Sequence, residues 1–288
     1  MSRRPKLTPW GDARLVGPQS CESDRTDRTS LCVHPQKRSR GLVTCVSLLQ
    51  YNKYSNLPSA KVKMAQDSSD IELFMLTSDD YEEVAQLFDE EYAKRNPLCK
   101  VCKETSLEDI GESMVKDIKR TLASGLSTGV RDKTTKAIVG FRLTDIFHVD
   151  KTSTYHVGEE DEPSIMYQLL ARFSPHGKEI QELGISPILE LFAVCVHKDY
   201  GGRGIAAMII KKTLELGDEQ GCRLAVVQIA NSLSEKIYNR LNFQTVKVLD
   251  LDTVADEFDL DTSIIPGETI LSLMVKNLPS KTSNPHPQ

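Results

Sequence analysis

The stretch from Ile188 to Ala206 constrains this chain more than any other part of it. An apolar run, Ile188-Leu-Glu-Leu-Phe-Ala-Val-Cys-Val196, leads through His197-Lys-Asp-Tyr200 to glycines at 201, 202 and 204, then straight into a helix-forming segment. A short apolar run closed by turn residues reads as a buried strand. Glycines adopt positive φ and let a backbone approach a ligand closely. The first turn of the following helix leaves N–H groups unpaired and carries partial positive charge. Strand, glycines and helix start together predict a seat for a phosphate or pyrophosphate. Two other phosphate loops do not fit. In the dinucleotide fingerprint GxGxxG, the window Gly202-Arg-Gly204-Ile-Ala-Ala207 has alanine in the last place, lies late in the chain and has no acidic strand end about 20 residues on. The GxxxxGK[ST] loop is absent.

The surrounding pattern alternates strands and helices. Ile71–Leu76 reads as a strand, and Thr77 with Asp80 three residues on reads as the cap of a helix bearing Val84, Leu87, Phe88 and Tyr92 on one face. Leu107, Ile110, Met114, Ile118 and Leu122 form one apolar stripe, which predicts a single helix from Ser106 to Leu122. A hairpin follows, with Gly129-Val-Arg and Ala137–Leu143 flanking the polar turn 132–136. The 150–187 region holds an acidic loop, Glu159–Glu162, and a helix near Ile165–Phe173. Beyond the Gly-rich turn come a helix at 203–216, a strand at 224–229, a helix at 232–241 and strands at 245–249 and 269–275. The order β-α-α-β-β-β-α-β-α-β-β implies an α/β fold with a mixed central sheet flanked by helices, parallel around the Gly-rich turn.

Charge divides the chain. Residues 1–63 carry twelve Lys/Arg against four Asp/Glu, with prolines at 5, 9, 18, 35 and 58, and are expected to be a disordered basic leader. Glu22, Asp24 and Asp27 argue against a transit peptide. The remainder carries 24 Lys/Arg against 37 Asp/Glu, an acidic body that disfavours nucleic acid and suits a cationic or amine substrate. The folded domain is expected over 64–278, with a disordered tail at 279–288. No apolar run approaches the ~20 residues of a membrane helix. Seven scattered cysteines argue for reduced thiols in the cytoplasm. Cys99-Lys-Val-Cys102 is a lone CxxC without the other half of a zinc site, so no metal is expected.

With these residues in view, the chain resembles the GNAT (Gcn5-related N-acetyltransferase) superfamily. The loop Gly201-Gly-Arg-Gly204-Ile-Ala206 is similar to the family's (Q/R)-x-x-G-x-(G/A), with Gly201 in place of the usual Gln or Arg. Asn231-Ser-Leu-Ser234-Glu-Lys-Ile-Tyr238-Asn-Arg-Leu-Asn-Phe243 is similar to N-x-x-A-x-x-x-Y-x-x-x-G-F, with Asn242 for Gly. Within the superfamily the wording looks most like arthropod and nematode arylalkylamine acetyltransferases, although Asn96 of Asn96-Pro97-Leu98 stands where those enzymes often have a catalytic Glu. The resemblance implies acetyl-CoA as co-substrate. It implies binding by Gly201, Gly202, Arg203, Gly204, Ile205, Ala206 and Asn231, and strand-like pairing of the pantetheine arm with the backbone of Val194 and Val196. The backbone N–H near Val194 is implied as oxyanion donor.

Acetyl transfer needs a deprotonated amine, the thioester carbonyl within ~3–3.5 Å of it, an oxyanion donor and a proton for the departing thiolate. Glu190, in an otherwise apolar strand, is either at an edge, paired, or held as the base. Its place eleven residues before Gly201 resembles the strand glutamate base of other superfamily members. Tyr238 is the candidate acid or a packed core tyrosine, and Ser234 a further candidate or a surface serine. His197 is an alternative base or a turn residue, and Cys195 a buried, inert thiol. Three functions follow: acetylation of a small primary amine, acetylation of protein lysines or N-termini, or a non-catalytic coenzyme A-binding module. The oligomeric state is not written in these residues.

Overall fold

Parallel strands need a crossover, and antiparallel ones do not. In the computed structural model, which describes residues 44–45, 70–149, 163–174 and 177–279, that distinction sets the architecture. The strands are β1 (Thr44–Cys45), β2 (Ile71–Met75), β3 (Thr128–Asp132), β4 (Ile138–Phe147), β5 (Ile188–Val196), β6 (Leu224–Ile229), β7 (Gln244–Asp250) and β8 (Ile270–Asn277). They form one sheet in the order β1-β7-β8-β6-β5-β4-β3-β2. Among the described strands every neighbouring pair is antiparallel except β5–β6. The expected mixed sheet, parallel around the Gly-rich turn, is the one observed.

The helices are α1 (Tyr81–Leu87), α2 (Pro97–Val101), α3 (Leu107–Ile110), α4 (Glu112–Ala123), α5 (Ile165–Arg172), α6 (Lys178–Gln181), α7 (Ile205–Glu219), α8 (Ser232–Arg240) and α9 (Ala255–Phe258). The expected cap before α1 is present. Thr77 Oγ1 accepts from Asp79 N at 3.3 Å, and Asp80 Oδ2 accepts from Thr77 N at 2.8 Å. Past Leu87 the helix widens into a π turn, Phe88–Ala93. The single helix expected over 106–122 is divided, because Gly111 takes φ +93° between α3 and α4. The apolar stripe survives the break, since Ile110, Met114, Ile118 and Leu122 are all buried.

The sheet buries both faces. Ile188 packs in the larger cluster with Phe88, Ile118, Leu169 and Phe141, while its neighbour Leu189 packs on the other face with Ile210, Leu214 and Tyr238. This alternation is the period-2 rule of a strand, and it explains why β5 reads as a continuous apolar run. The expected leader and tail lie outside the described residues, apart from Thr44–Cys45, which pairs with β7 at the sheet edge, and Pro279. The acidic loop at 159–162 also lies outside them.

Candidate active site

β5 and β6 run in register from Ile188↔Leu224 to Leu191↔Val227, where their pairing ends. There β5 also bulges against β4: Thr144 faces Leu191 and Leu143 faces Ala193, so Phe192 is the extra residue. From Phe192 to Val196, β5 keeps β4 on one side and, among the described residues, has no strand on the other. The parting opens a cleft of about 630 Å³, of the size that holds small-molecule ligands. Val194, Val196, Gly201, Gly202, Gly204, Ile205 and Ala206 line it, together with Asn231, Ser234 and Tyr238.

Gly202 and Gly204 have φ +73° and +77°, and a Cβ on either would stand in open space. Backbone conformation, not crowding, therefore demands glycine at both. Gly204 is the cap residue just before α7, and it offers no side chain to cap the helix. Its first N–H groups and dipole are left to whatever enters the cleft. Arg203 departs from expectation. Its guanidinium turns away to Asp70 at 2.6 Å and does not line the cleft.

On α8, Asn231 caps the helix, its Oδ1 accepting from Ser234 N at 2.8 Å. This fixes Ser234 and, one turn later, Tyr238 at the cleft. Tyr238 is 1% exposed, its ring edge-on to Phe243 with centroids 5.0 Å apart, and its hydroxyl has no hydrogen-bond partner among the described residues. Burial pushes its pKa above the ordinary tyrosine value, with Arg142 opposing. Asn242 takes φ +61°, the left-handed backbone that Asn tolerates where a helix ends.

Glu190 is buried, in register with Asp145 of β4 and Val226 of β6, and does not line the cleft. It lies where strand register, not the splay, governs its surroundings. It acts electrostatically on Asp117, Arg120 and Arg142. His197 caps the turn 198–200 and sets its Nε2 3.6 Å from Glu91 Oε1. Burial pushes the Cys195 thiol up to about 12, so it stays protonated at neutral pH. Cys99 is likewise buried and pushed up to about 12, its sulfur 3.6 Å from Met166 Sδ. Among the described residues no cluster of three His, Cys, Asp or Glu is placed to hold a metal, and no helix is long and apolar enough to cross a membrane.

The FR47-like protein family's sequence model matches residues 176–249, the span that holds β5, the loop, α7, β6 and α8. No curated protein matches the sequence significantly. Among solved structures, arylalkylamine N-acetyltransferase 2 of Aedes aegypti is similar with TM-score 0.63 and 19% identity, over 73% of this chain and 99% of that one. The polyamine N-acetyltransferase of Drosophila melanogaster gives TM-score 0.62 and 15% identity, over 73% and 100%. The C-terminal condensation domain of Ebony gives 0.58 and 17%, over 72% and 98%. The fold is that of the GNAT acetyltransferases.

Within this GNAT fold, several cleft residues were not legible in the sequence. Glu91 and Tyr92 reach the wall from the π turn, a distortion that no residue pattern announces. Glu91 is buried and bonded to Arg95 Nη1 at 2.6 Å, and Arg95 Nη1 also donates to the Val196 carbonyl at 3.1 Å. Asn96 caps α2, its Oδ1 accepting from Leu98 N at 2.9 Å with Pro97 at the first helical position. A smaller inner chamber of about 70 Å³ lies where Tyr92, Asn96, Val194, Asn231, Ser234 and Tyr238 also form the wall. Arg142, Met166 and Phe192 line only this inner part.

Proposed function

We propose that the chain transfers an acetyl group from acetyl-CoA to a small primary amine. The observation that carries this reading is the parting of β5 from β6. It places an uncapped helix start, an open strand edge and the partnerless hydroxyl of Tyr238 on one cleft. Acetyl-CoA supplies an activated acyl thioester. The N–H groups at Gly204–Ala206 suit its pyrophosphate, and the strand edge from Val194 to Val196, where Arg95 already takes the Val196 carbonyl, suits an amide-bearing arm laid alongside like another strand.

The remaining chemistry belongs to side chains. As the amine nitrogen bonds to the acyl carbon and the carbon–sulfur bond breaks, Tyr238 is placed to give its proton to the leaving sulfur. Its raised pKa keeps that proton in place through the neutral range. Two carboxylates stand for the proton that the amine must lose. Glu190, read from the strand, is buried behind the cleft and reaches it only through intervening groups. Glu91 forms part of the wall itself, next to His197 and Arg95. We assign the direct role to Glu91 and leave Glu190 the electrostatic support of Arg120 and the buried Arg142. Ser234 shares the wall with Tyr238 and suits a polar contact to the acceptor.

The inner chamber is bounded by Leu98, Met114, Met166, Leu170 and Phe192, which supports a small acceptor over an extended peptide. Location in the cytoplasm accords with the four buried free thiols Cys99, Cys102, Cys195 and Cys222. The experiment is thiol release from acetyl-CoA over a panel of amines, beside direct measurement of coenzyme A binding. Turnover with small amines and none with peptides is expected. Binding without turnover of any amine would replace this reading with a non-catalytic coenzyme A module.

A further inference from the structure

Arg142 stands out among the buried side chains. It lies in mid-sheet on β4, across from Val194 on β5 and from Thr128 on β3, and is 1% exposed. Its buried Nε and Nη2 have no acceptor among the described residues, and its side chain lines the inner chamber. Buried charges are ordinarily paired, since an unpaired one is costly. Burial pulls its pKa below the ordinary arginine value, while Tyr238, Tyr92 and Glu190 act in favour of its charge. The two orphaned donors are neighbours on one edge of the guanidinium. That edge is the fork that grips both oxygens of a carboxylate, a geometry no lysine or single donor reproduces. The chamber's about 70 Å³ admits a small group, not a whole substrate. Its other walls are mainly apolar, which strengthens a charge-assisted pair formed inside it.

We infer that the inner chamber is a carboxylate seat, in which Nε and Nη2 of Arg142 hold an ionised carboxylate carried by one of the two reacting molecules. The carboxylate belongs either to the acceptor, which is then an amino acid or a similar amino-carboxylate, or to the acyl chain, which is then a dicarboxylic monoacyl group. The inference rests on the acyl-transfer reading for its substrates but not for its existence.

The test has three arms. The first compares an arylalkylamine with the amino acid that differs from it only by the α-carboxylate. The second compares acetyl-CoA with succinyl-CoA. Wild type should favour the carboxylate-bearing member of one pair by tenfold or more in kcat/KM, and whichever pair shows the preference names the source. In Arg142→Met that ratio should collapse toward one, and Arg142→Lys, which keeps the charge but not the fork, should fall between. The third arm needs no turnover. Ligand-free Arg142→Met should melt at or above wild type, because an unpaired buried charge has been removed, and sodium succinate should raise the melting temperature of wild type but not of the variant. A lower melting temperature in Arg142→Met, or no response to succinate with no preference in either pair, overturns the carboxylate seat. Failure to turn over any pair while succinate still stabilises wild type alone would instead sink the acyl-transfer reading and leave the seat standing.

Discussion

The Gly-rich loop and the inner chamber are two ends of one cleft, built on opposite principles. At Gly201–Ala206 the proposed ligand seat is made of backbone: two positive-φ glycines and a helix start without a side-chain cap, contributed by consecutive residues. In the chamber the functional groups are side chains carried in from far apart. Arg142 comes from β4, Tyr92 from the π turn, Phe192 from the β5 bulge and Tyr238 from α8. A seat of backbone binds by shape and dipole and tolerates varied sequence. A seat of side chains does chemistry and selects substrates, and it depends on every element that positions it. Variants at the two ends should therefore fail differently: loop variants in binding, chamber variants in turnover.

The largest effect is expected at the chamber. Tyr238→Phe should lower kcat by ~10²–10⁴-fold, the usual contribution of a positioned acid, with the acetyl-CoA dissociation constant unchanged. Burial raises the Tyr238 pKa, so the phenol stays protonated, and wild type should lose no activity from its ionisation below about pH 10. An equal loss of cofactor affinity would erase the division between the two ends. Glu91→Gln should bring a fall of similar size, concentrated at lower pH where the amine is protonated, while Glu190→Gln leaves the acidic limb in place. If instead Glu190→Gln removes that limb and Glu91→Gln does not, the base acts from behind the sheet.

At the loop, Gly204→Val should weaken acetyl-CoA binding by about tenfold or more, since a branched side chain resists φ near +77° and projects where the ligand lies. Turnover at saturating cofactor should hardly change. Unchanged affinity in a folded variant would mean that the pyrophosphate sits elsewhere. Away from both ends, Thr77→Ala removes half of the capping box before α1 and should cost about 1 kcal/mol, with a melting shift of a few degrees. The smallest effect belongs to the termini. A chain trimmed to 64–278 loses the two-residue edge strand β1 and should still keep its melting temperature and cofactor affinity; unfolding on truncation would mean that the fold depends on the leader.

Legibility followed locality. The capping box, the hairpin around 132–136, the β5 strand and the loop were each readable because their determinants lie within a few residues of one another. Gly111 was hidden, since an apolar stripe continues across a break that only a single φ reveals. Arg203 looked like a cofactor contact from its place in the loop, but Asp70, 133 residues earlier, draws its side chain away. Glu190 looked like a base because a carboxylate in an apolar strand demands an explanation. The register beside Asp145 and Val226 sets it behind the cleft, in the field of the buried Arg142 and the exposed Arg120.

The sequence by itself determined the strands β2 to β8, the parallel crossover and the positive-φ glycines of the loop after β5. All of these follow from short-range periodicity, caps and glycine. Only the tertiary structure decided where β5 leaves β6, that Glu91 and Glu268 are the acidic side chains that meet the cleft, and that Arg142 lies buried with two donors unmatched among the described residues. Each of these depends on contacts between residues tens of positions apart, where burial and register, not neighbouring residues, assign a side chain its partners.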